Sequence, residues 1–127
     1  SESLDKMYGS AFELLWSKSP RKQEIARVTW AAFFGHNKTD DGAKKVHPTM
    51  KPIKLIEWFF ERFDGAKILD LFGGSGSTLI ACEKTKRKCF MMELDPHYVD
   101  VIVSRWCKYT NQTKIKRNGE TVDWMIK

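Results

Sequence analysis

The stretch KILDLFGGSGSTLIACEKTKRKCFMMELDP, residues 67–96, decides the fold. A short apolar run breaks into three glycines within four residues (Gly73, Gly74 and Gly76), and a helical pattern follows. A second apolar run then ends on a single acid, Glu93. Because glycine loses more conformational freedom on folding than any other residue, this cluster needs a physical reason. The pattern predicts a strand, a turn with a small-molecule site, a helix and a second strand.

Local patterns also predict the elements around this stretch. Apolar residues from Ile53 to Phe63 recur at three- and four-residue steps, which predicts a helix that ends at Asp64-Gly65. The run AKILDLF, residues 66–72, is apolar around one acid and predicts a strand buried on both faces of a parallel sheet. A second helix is predicted over residues 77–86 and a second strand over 88–94.

The C-terminal part predicts one more helix and a hairpin. Asp95 suits an N-cap, and Pro96 suits the first turn of a helix that continues to Tyr109. Asn118-Gly119 between two alternating segments indicates a β-hairpin. The order helix, strand, helix, strand, helix predicts an α/β fold. We expect part of a Rossmann-like, doubly wound sheet, followed by a C-terminal β-hairpin.

The N-terminal residues give weaker patterns. AFELLWSK, residues 11–18, fits a strand that ends at a Ser-Pro turn. RKQEIARVTWAAFFG, residues 21–35, has near-helical apolar spacing, but its Val-Thr-Trp segment also fits a strand. HNKTDDGAKK, residues 36–45, predicts a loop.

Composition limits the class of protein. The chain of 127 residues suits one domain, and its hydrophobic fraction of 42% is typical of a folded globule. An excess of 22 Lys and Arg over 16 Asp and Glu gives a net charge of +6, which suits a polyanionic partner. No apolar run reaches membrane-spanning length. The three cysteines form no C-x-x-C pair, so we expect reduced thiols, no metal site and a cytoplasmic location.

The position of Glu93 indicates the kind of ligand. In a doubly wound fold, ligands bind beyond the carboxyl ends of the strands, where the glycine turn and Glu93 would meet. A carboxylate there suits the two hydroxyls of a ribose. No Lys follows the glycines as a P-loop requires, and the third glycine of a dinucleotide motif is lacking. Asp70, just before the turn, suits a cationic group, such as the amino group or sulfonium of S-adenosylmethionine.

Three segments carry a resemblance to a known family. HPTMKP (residues 47–52), LDLFGGSGST (69–78) and ELDPHY (93–98) resemble the cofactor-side motifs of the amino-methyltransferases of DNA, which form N6-methyladenine or N4-methylcytosine. Their order is that of the permuted group, in which the cofactor half follows the catalytic half. The resemblance covers residues 47–110 well and FELLWSKSP, residues 12–20, more loosely. Leu71 departs from the pattern, because the family often has proline there.

The resemblance implies a role for each matching residue. Asp70 would hold the methionine amino group of S-adenosylmethionine, and Glu93 would bind its ribose. The segment before the first helix would line the methionine and adenine side, through His47, Pro48, Thr49 and Lys51. The turn itself would wrap the cofactor, through Phe72, Gly74, Ser75, Gly76, Ser77 and Thr78.

The family's catalytic tetrapeptide does not occur in this sequence. That motif is Asp, Asn or Ser followed by Pro-Pro and an aromatic residue, and none of the four prolines here adjoins another. In the permuted order it would precede residue 1, so we expect the catalytic half in a missing segment or a separate chain and assign no catalytic residue. Residues 1–46 would end the catalytic or target-recognition region, and 47–127 would form the S-adenosylmethionine-binding unit. The unpaired sheet edge would meet that half or a second copy of the chain.

These observations favour the cofactor-binding part of a site-specific DNA methyltransferase acting on a flipped base, with Arg21 and Lys22 as candidates to contact the DNA backbone. Two other functions stay open. One is a non-catalytic subunit that binds S-adenosylmethionine or DNA, and the other is a methyltransferase of RNA or a small molecule. The target, adenine or cytosine, and the role in restriction, phage defence or regulation also stay open.

Overall fold

The computed structural model of the chain describes residues 15–18, 21–28 and 50–126. Regular structure within these ranges consists of α1 (Ile53–Phe60), β1 (Lys67–Asp70), α2 (Ser77–Lys84), β2 (Lys88–Met91), α3 (Pro96–Thr110), β3 (Lys114–Arg117) and β4 (Glu120–Asp123). Among these described residues, no helix has both the length and the apolar character that crossing a membrane requires.

β1 and β2 form a parallel pair, and α2 connects them. Ile68 lies opposite Cys89, and Leu69 lies opposite Phe90. A parallel pair needs a crossover connection, which the eight residues of α2 and its flanking turns provide. The carboxyl ends of both strands therefore lie at the same edge, so the turn after β1 and the segment after β2 are neighbours. This βαβ unit confirms the predicted α/β fold of partly Rossmann-like type.

The core lies between one face of this sheet and the helices. α1 packs on α2, and α2 packs on β2 and α3. The buried side chains are those of Ile53, Phe60, Ile80, Ala81 and Cys82, with Ile56, Ile68, Cys89 and Trp106 packed against them. Burying one such large aliphatic side chain contributes about 1.5–3 kcal/mol to folding, so this cluster is a substantial source of the stability of the unit.

The opposite face of the sheet is exposed. Leu69 is 66% exposed and Phe90 is 54% exposed. The prediction of a strand buried on both faces is therefore wrong for the described part of the chain, because the helices cover only the face that carries Ile68 and Cys89. An apolar run indicates that both faces of a strand could be buried. Burial of the second face also requires another layer of structure packed on it, and the sequence of the strand does not show whether that layer is present.

The predicted start of α3 and the predicted hairpin are confirmed. The Asp95 carboxylate accepts a hydrogen bond from the His97 N–H at 2.8 Å, so Asp95 is the N-cap of α3, and Pro96 follows in the first turn. β3 and β4 pair antiparallel around Asn118 and Gly119, whose φ angles of 51° and 83° give the turn that Asn-Gly favours.

The predictions for residues 1–46 fall largely outside the described ranges. Residues 11–14 of the predicted N-terminal strand lie outside, and residues 15–18 are not in a strand. Residues 21–28 form neither the helix nor the strand that the sequence left open. The predicted loop at 36–45 and the boundary between residues 46 and 47 lie outside the described residues, so the division into two regions stays a prediction.

Candidate cofactor site

The glycine-rich turn, residues 72–77, leaves the carboxyl end of β1 and opens α2; we call it the glycine loop. The Gly73 N–H donates to the Met92 carbonyl at 2.8 Å, which ties the loop to the segment directly after β2. Within the loop, the Gly76 N–H donates to the Gly73 carbonyl at 2.9 Å. These two bonds define a tight turn at the shared carboxyl edge of β1 and β2, where ligands of α/β folds bind.

Packing explains two of the loop glycines. A Cβ at Gly73 would lie 2.7 Å from Met91 Sδ and 3.1 Å from Ile102 Cδ1. Gly76 has a φ of 83°, and a Cβ there would lie 3.2 Å from Ile102 Cγ1 and 3.4 Å from its Cα. A left-handed conformation costs a residue with a Cβ about 1–2 kcal/mol, in addition to these close contacts. α3, which carries Ile102, therefore packs directly beneath the loop.

Asp70 ends β1 beside the loop and is half-buried. Its Oδ1 accepts a hydrogen bond from the Phe72 N–H at 2.9 Å, and its carbonyl accepts one from the Met92 N–H at 2.9 Å. Phe72 is 88% exposed. The Asp70 carboxylate thus places a negative charge at the mouth of the loop, as a partner for a cationic group requires, and Phe72 offers an open aromatic surface next to it.

Glu93 is bound to the glycine loop. Its Oε2 accepts from the Gly74 N–H at 2.7 Å, and its Oε1 accepts from the Asp95 N–H at 2.9 Å. The sequence predicted that Glu93 lies beside the same crevice as the glycines, and the structure brings them into direct contact. These backbone bonds were not predicted. They are compatible with further bonds to ribose hydroxyls, because a carboxylate has about four acceptor positions.

The loop serines face an arginine that sequence reasoning missed. Ser75 and Ser77 are 4% and 6% exposed, and Arg105 Nη1 of α3 donates to the Ser75 carbonyl and to Ser77 Oγ, both at 3.1 Å. A signal existed in the sequence, because Arg105 follows Ile102 by three residues and so shares its face of the helix. Thr78, the next residue of α2, is half-buried.

The remaining predicted site residues lie outside the glycine loop in the sequence. His47, Pro48 and Thr49 lie outside the described residues. Lys51 is exposed and lies two residues before α1. The Arg21 guanidinium lies 4.6 Å from the ring centroid of Phe63, in the connection that enters β1 at its amino end, so Arg21 lies on the side away from the loop. Lys22 beside it is exposed.

An open depression of about 520 Å³ lies away from the glycine loop, between residues 21–28, α1 and the turn into β2. Its lining mixes charged and aromatic side chains and includes Arg27, Lys54, Glu57, Trp58 and Arg87. Arg87 precedes the amino end of β2, whereas ligands of α/β folds bind at the carboxyl ends. The depression is therefore not the predicted cofactor site.

The cysteines behave as buried thiols. Burial, together with the neighbouring Cys89 and the charge of Asp70, raises the pKa of Cys82 from 9.0 to about 12. Burial also raises the pKa of Cys89 and of Cys107, the latter with help from the charge of Asp123. In residues 15–18, 21–28 and 50–126, no group of three or more His, Cys, Asp or Glu side chains is arranged to hold a metal ion.

A parallel βαβ unit, a glycine loop at its carboxyl edge and an acid just after the next strand that accepts a hydrogen bond from the loop are typical of a cofactor-binding α/β protein. Residues 3–104 match the family of N6 and N4 methyltransferases described as DNA methylase. Since this match takes in most of the chain, the chain belongs to the DNA methylase family, and the resemblance carried by the three motifs is confirmed.

The chain is also similar to two individual proteins. It is 32% identical over 88 residues to the type II methyltransferase M.PvuII of Proteus hauseri, a match that covers 62% of this chain and 26% of the relative. Among solved structures, it is similar to the M1.HpyAVI–SAM complex, with 25% identity, a TM-score of 0.49, and coverage of 74% of this chain and 43% of that chain. The chain thus spans about a quarter of the curated relative and less than half of the solved one.

Proposed function

We propose that this chain supplies the S-adenosylmethionine-binding part of a DNA methyltransferase. The complete enzyme would transfer the methyl group to an exocyclic amine, N6 of adenine or N4 of cytosine, of a flipped base. The family is one of S-adenosylmethionine-dependent methyltransferases, which agrees with the cofactor predicted from the sequence. The observation that carries the proposal is the bond between Glu93 and Gly74, because it joins the predicted ribose acceptor to the predicted cofactor loop.

The residues present fit the chemistry of this cofactor. Asp70 would attract the methionine amino group, since its carboxylate stands at the mouth of the loop. Glu93 would accept hydrogen bonds from the ribose, since its carboxylate is already oriented by two backbone N–H groups. The exposed ring of Phe72 and the backbone of the glycine loop would enclose the rest, with Gly74, Ser75, Gly76, Ser77 and Thr78. Lys51, with His47, Pro48 and Thr49, would close the site from the segment before α1.

The contribution of this chain to the reaction would be positional. When bound, S-adenosylmethionine supplies an electrophilic methyl group, and the chain's residues fix the position and orientation of that group relative to the target amine. Fixing two reactants in this way removes a large entropic barrier from the transfer step. The hydrogen bonds to the target amine would come from the catalytic tetrapeptide, which this chain lacks and which a missing segment or a separate chain would carry. Arg21 and Lys22 would contact the DNA backbone of the complete enzyme.

Titration calorimetry with S-adenosylhomocysteine tests the cofactor site directly. We expect the wild-type chain to bind, and Asp70→Ala to lose about 10-fold or more in affinity, because a hydrogen bond to a charged group contributes about 1.5–3 kcal/mol. Asp123→Ala, which removes an exposed carboxylate from β4, is the matched control and should bind as the wild type does. Equal affinities for all three proteins would refute the assignment of Asp70.

A non-catalytic subunit is the second candidate, and the missing Pro-Pro pair is the observation that favours it. A folded wild-type chain that binds duplex DNA but not S-adenosylhomocysteine would support this candidate. Titration of a short duplex oligonucleotide, followed by fluorescence of the Trp residues, provides that measurement.

A further inference from the structure

We propose that Arg105 is a positioning residue that holds the glycine loop in its cofactor-binding conformation. Arg105 lies on α3 and donates hydrogen bonds to Ser75 and Ser77, two of the loop residues proposed to enclose the cofactor. The inference rests on the proposed function, since it assigns to Arg105 an effect on the same cofactor site. Arg105 lies outside the three sequence motifs and would still set the shape of that site.

The contacts of Arg105 converge on the loop from below. Its side chain is buried, with only 5% of the residue exposed. Nη1 lies 3.1 Å from the Ser75 carbonyl oxygen, 3.1 Å from Ser77 Oγ and 3.5 Å from Ser75 Oγ. A buried guanidinium is costly unless hydrogen bonds satisfy it. The loop oxygens and Nη1 therefore stabilise each other, and a rearranged loop would leave this buried nitrogen without these acceptors.

The serine contacts have a consequence for the start of α2. Serine hydroxyls commonly cap helix N-termini by accepting from the first free N–H groups. Here the N-cap is Gly76, and no side chain caps the helix. The hydroxyl of Ser77 accepts from Arg105 instead. By donating to the Ser77 hydroxyl, Arg105 keeps this side-chain oxygen away from the N-terminal amides of α2, which no side chain caps and which are therefore available to a ligand.

Arg105 acts together with a neighbour on the same face of α3. Ile102, three residues earlier, fills the space beneath Gly73 and Gly76. The contact with Ile102 limits how closely the loop can approach α3, and the hydrogen bonds of Arg105 oppose its movement away from α3. α3 thus supports the loop with one steric and one polar contact, although its own sequence motif lies at its first turn.

Arg87 provides a matched control within the same chain. It also gathers backbone oxygens, because Nη1 donates to the Gly65 carbonyl and Nη2 donates to the Phe60 carbonyl at 3.0 Å. Its guanidinium also lies 4.8 Å from the centroid of the Phe60 ring. These contacts lie at the amino end of the sheet, away from the glycine loop. A purely structural arginine should behave like Arg87, and a positioning arginine should not.

The first experiment compares Arg105→Met with Arg87→Met by thermal unfolding and by S-adenosylhomocysteine titration at a temperature where each variant is folded. We expect both variants to lower Tm, and Arg105→Met alone to lose about 10-fold or more in affinity, since it removes hydrogen bonds of a charged donor from the loop. Arg87→Met should bind within about twofold of the wild type. Equal affinity of folded Arg105→Met and Arg87→Met would overturn the proposal.

Two further measurements keep the proposal testable if Arg105→Met fails to fold or the wild type fails to bind. Arg105→Lys and Ser77→Ala should each weaken binding less than Arg105→Met, and their effects in the double variant should not add, because they break the same contact. Fully additive effects would contradict the proposal. Amide hydrogen exchange without ligand should speed up at Gly73–Thr78 in Arg105→Lys. Unchanged exchange there would overturn the positioning role, whereas absence of wild-type binding would count only against the cofactor site.

Discussion

The glycine loop and the hairpin turn contain glycines with the same backbone conformation in different surroundings. Gly76 and Gly119 both have a φ of 83°. A Cβ at Gly76 would meet Ile102 at 3.2 Å, whereas a Cβ at Gly119 would meet nothing within 4 Å. The hairpin turn needs glycine for its backbone angle alone. The glycine loop needs it for the angle and for close packing against α3.

The two regions also differ in the origin of their hydrogen bonds. Gly74 donates to a carboxylate 19 residues along the chain, and the Ser75 carbonyl accepts from an arginine 30 residues along. In the hairpin, Arg117 lies opposite Glu120, only three positions away. The hairpin is thus a local structure, while the loop depends on the tertiary fold. Substitutions in the loop should therefore affect both folding and cofactor binding, and those in the hairpin should affect folding weakly and binding not at all.

The largest expected effect is that of removing Glu93 from the segment that binds the glycine loop, compared with removing Glu120 from the hairpin. Glu93→Ala removes the acceptor of two backbone N–H groups and the proposed ribose acceptor, so we expect about a 100-fold loss of S-adenosylhomocysteine affinity and about 1–3 kcal/mol of unfolding free energy. Glu120→Ala, at an exposed hairpin position, should change the unfolding free energy by less than about 0.5 kcal/mol and leave binding unchanged. Calorimetry and urea denaturation measure both quantities. A Glu120→Ala variant that binds as weakly as Glu93→Ala would abolish the distinction between the regions.

The two left-handed glycines allow the packing contribution to be isolated. Gly119→Ala should cost about 1–2 kcal/mol for the backbone angle. Gly76→Ala should cost a further 1–3 kcal/mol or so, because its Cβ presses on Ile102, and it should also weaken cofactor binding. In a double-mutant cycle, Ile102→Ala, which removes the Cγ1 and Cγ2 atoms that a Cβ at Gly76 would meet, should recover part of the loss at Gly76 and none at Gly119, as measured by urea denaturation. If Gly76→Ala and Gly119→Ala lose the same unfolding free energy, then α3 adjusts to the added Cβ, and its packing does not determine the shape of the loop.

The same contrast explains what the sequence could predict. The βαβ unit followed from the apolar runs and the glycines, the start of α3 from Asp95 and Pro96, and the hairpin from Asn118-Gly119. Each of these depends on residues close together in the chain. The bonds of Arg105 to the loop depend on how α3 lies against it, and helical periodicity cannot show which oxygen a buried arginine will meet.

The exposed sheet face was mispredicted for a related reason. Leu69 and Phe90 are apolar and alternate with residues of the core, but the sequence of a strand does not identify the layer that covers each face. The roles of Asp70, Phe72 and Glu93 toward the cofactor stay predictions, since hydrogen bonds within the chain establish their placement and not their ligand. Titrations of Asp70→Ala and Glu93→Ala with S-adenosylhomocysteine test the roles of these two carboxylates.

The smallest expected effect is a pH dependence of the unfolding free energy, to which the buried thiols of Cys82 and Cys107 contribute differently. The pKa of Cys82, in the helix that begins at the loop, is raised to about 12, so the folded chain keeps this proton at a pH where the unfolded chain has lost it. Its contribution to stability is complete below about pH 9 and declines above it, by about 1.4 kcal/mol per pH unit. Urea denaturation between pH 8 and pH 10 or so should show this decline in the wild type and a flatter profile in Cys82→Ala.

Cys107→Ala, which removes the thiol near Asp123 of the hairpin, should flatten the profile less, because Cys82 has Cys89 and Asp70 as well as burial to raise its pKa. If the unfolding free energies of the wild type and Cys82→Ala change with pH in parallel, the Cys82 thiol does not cause this pH dependence.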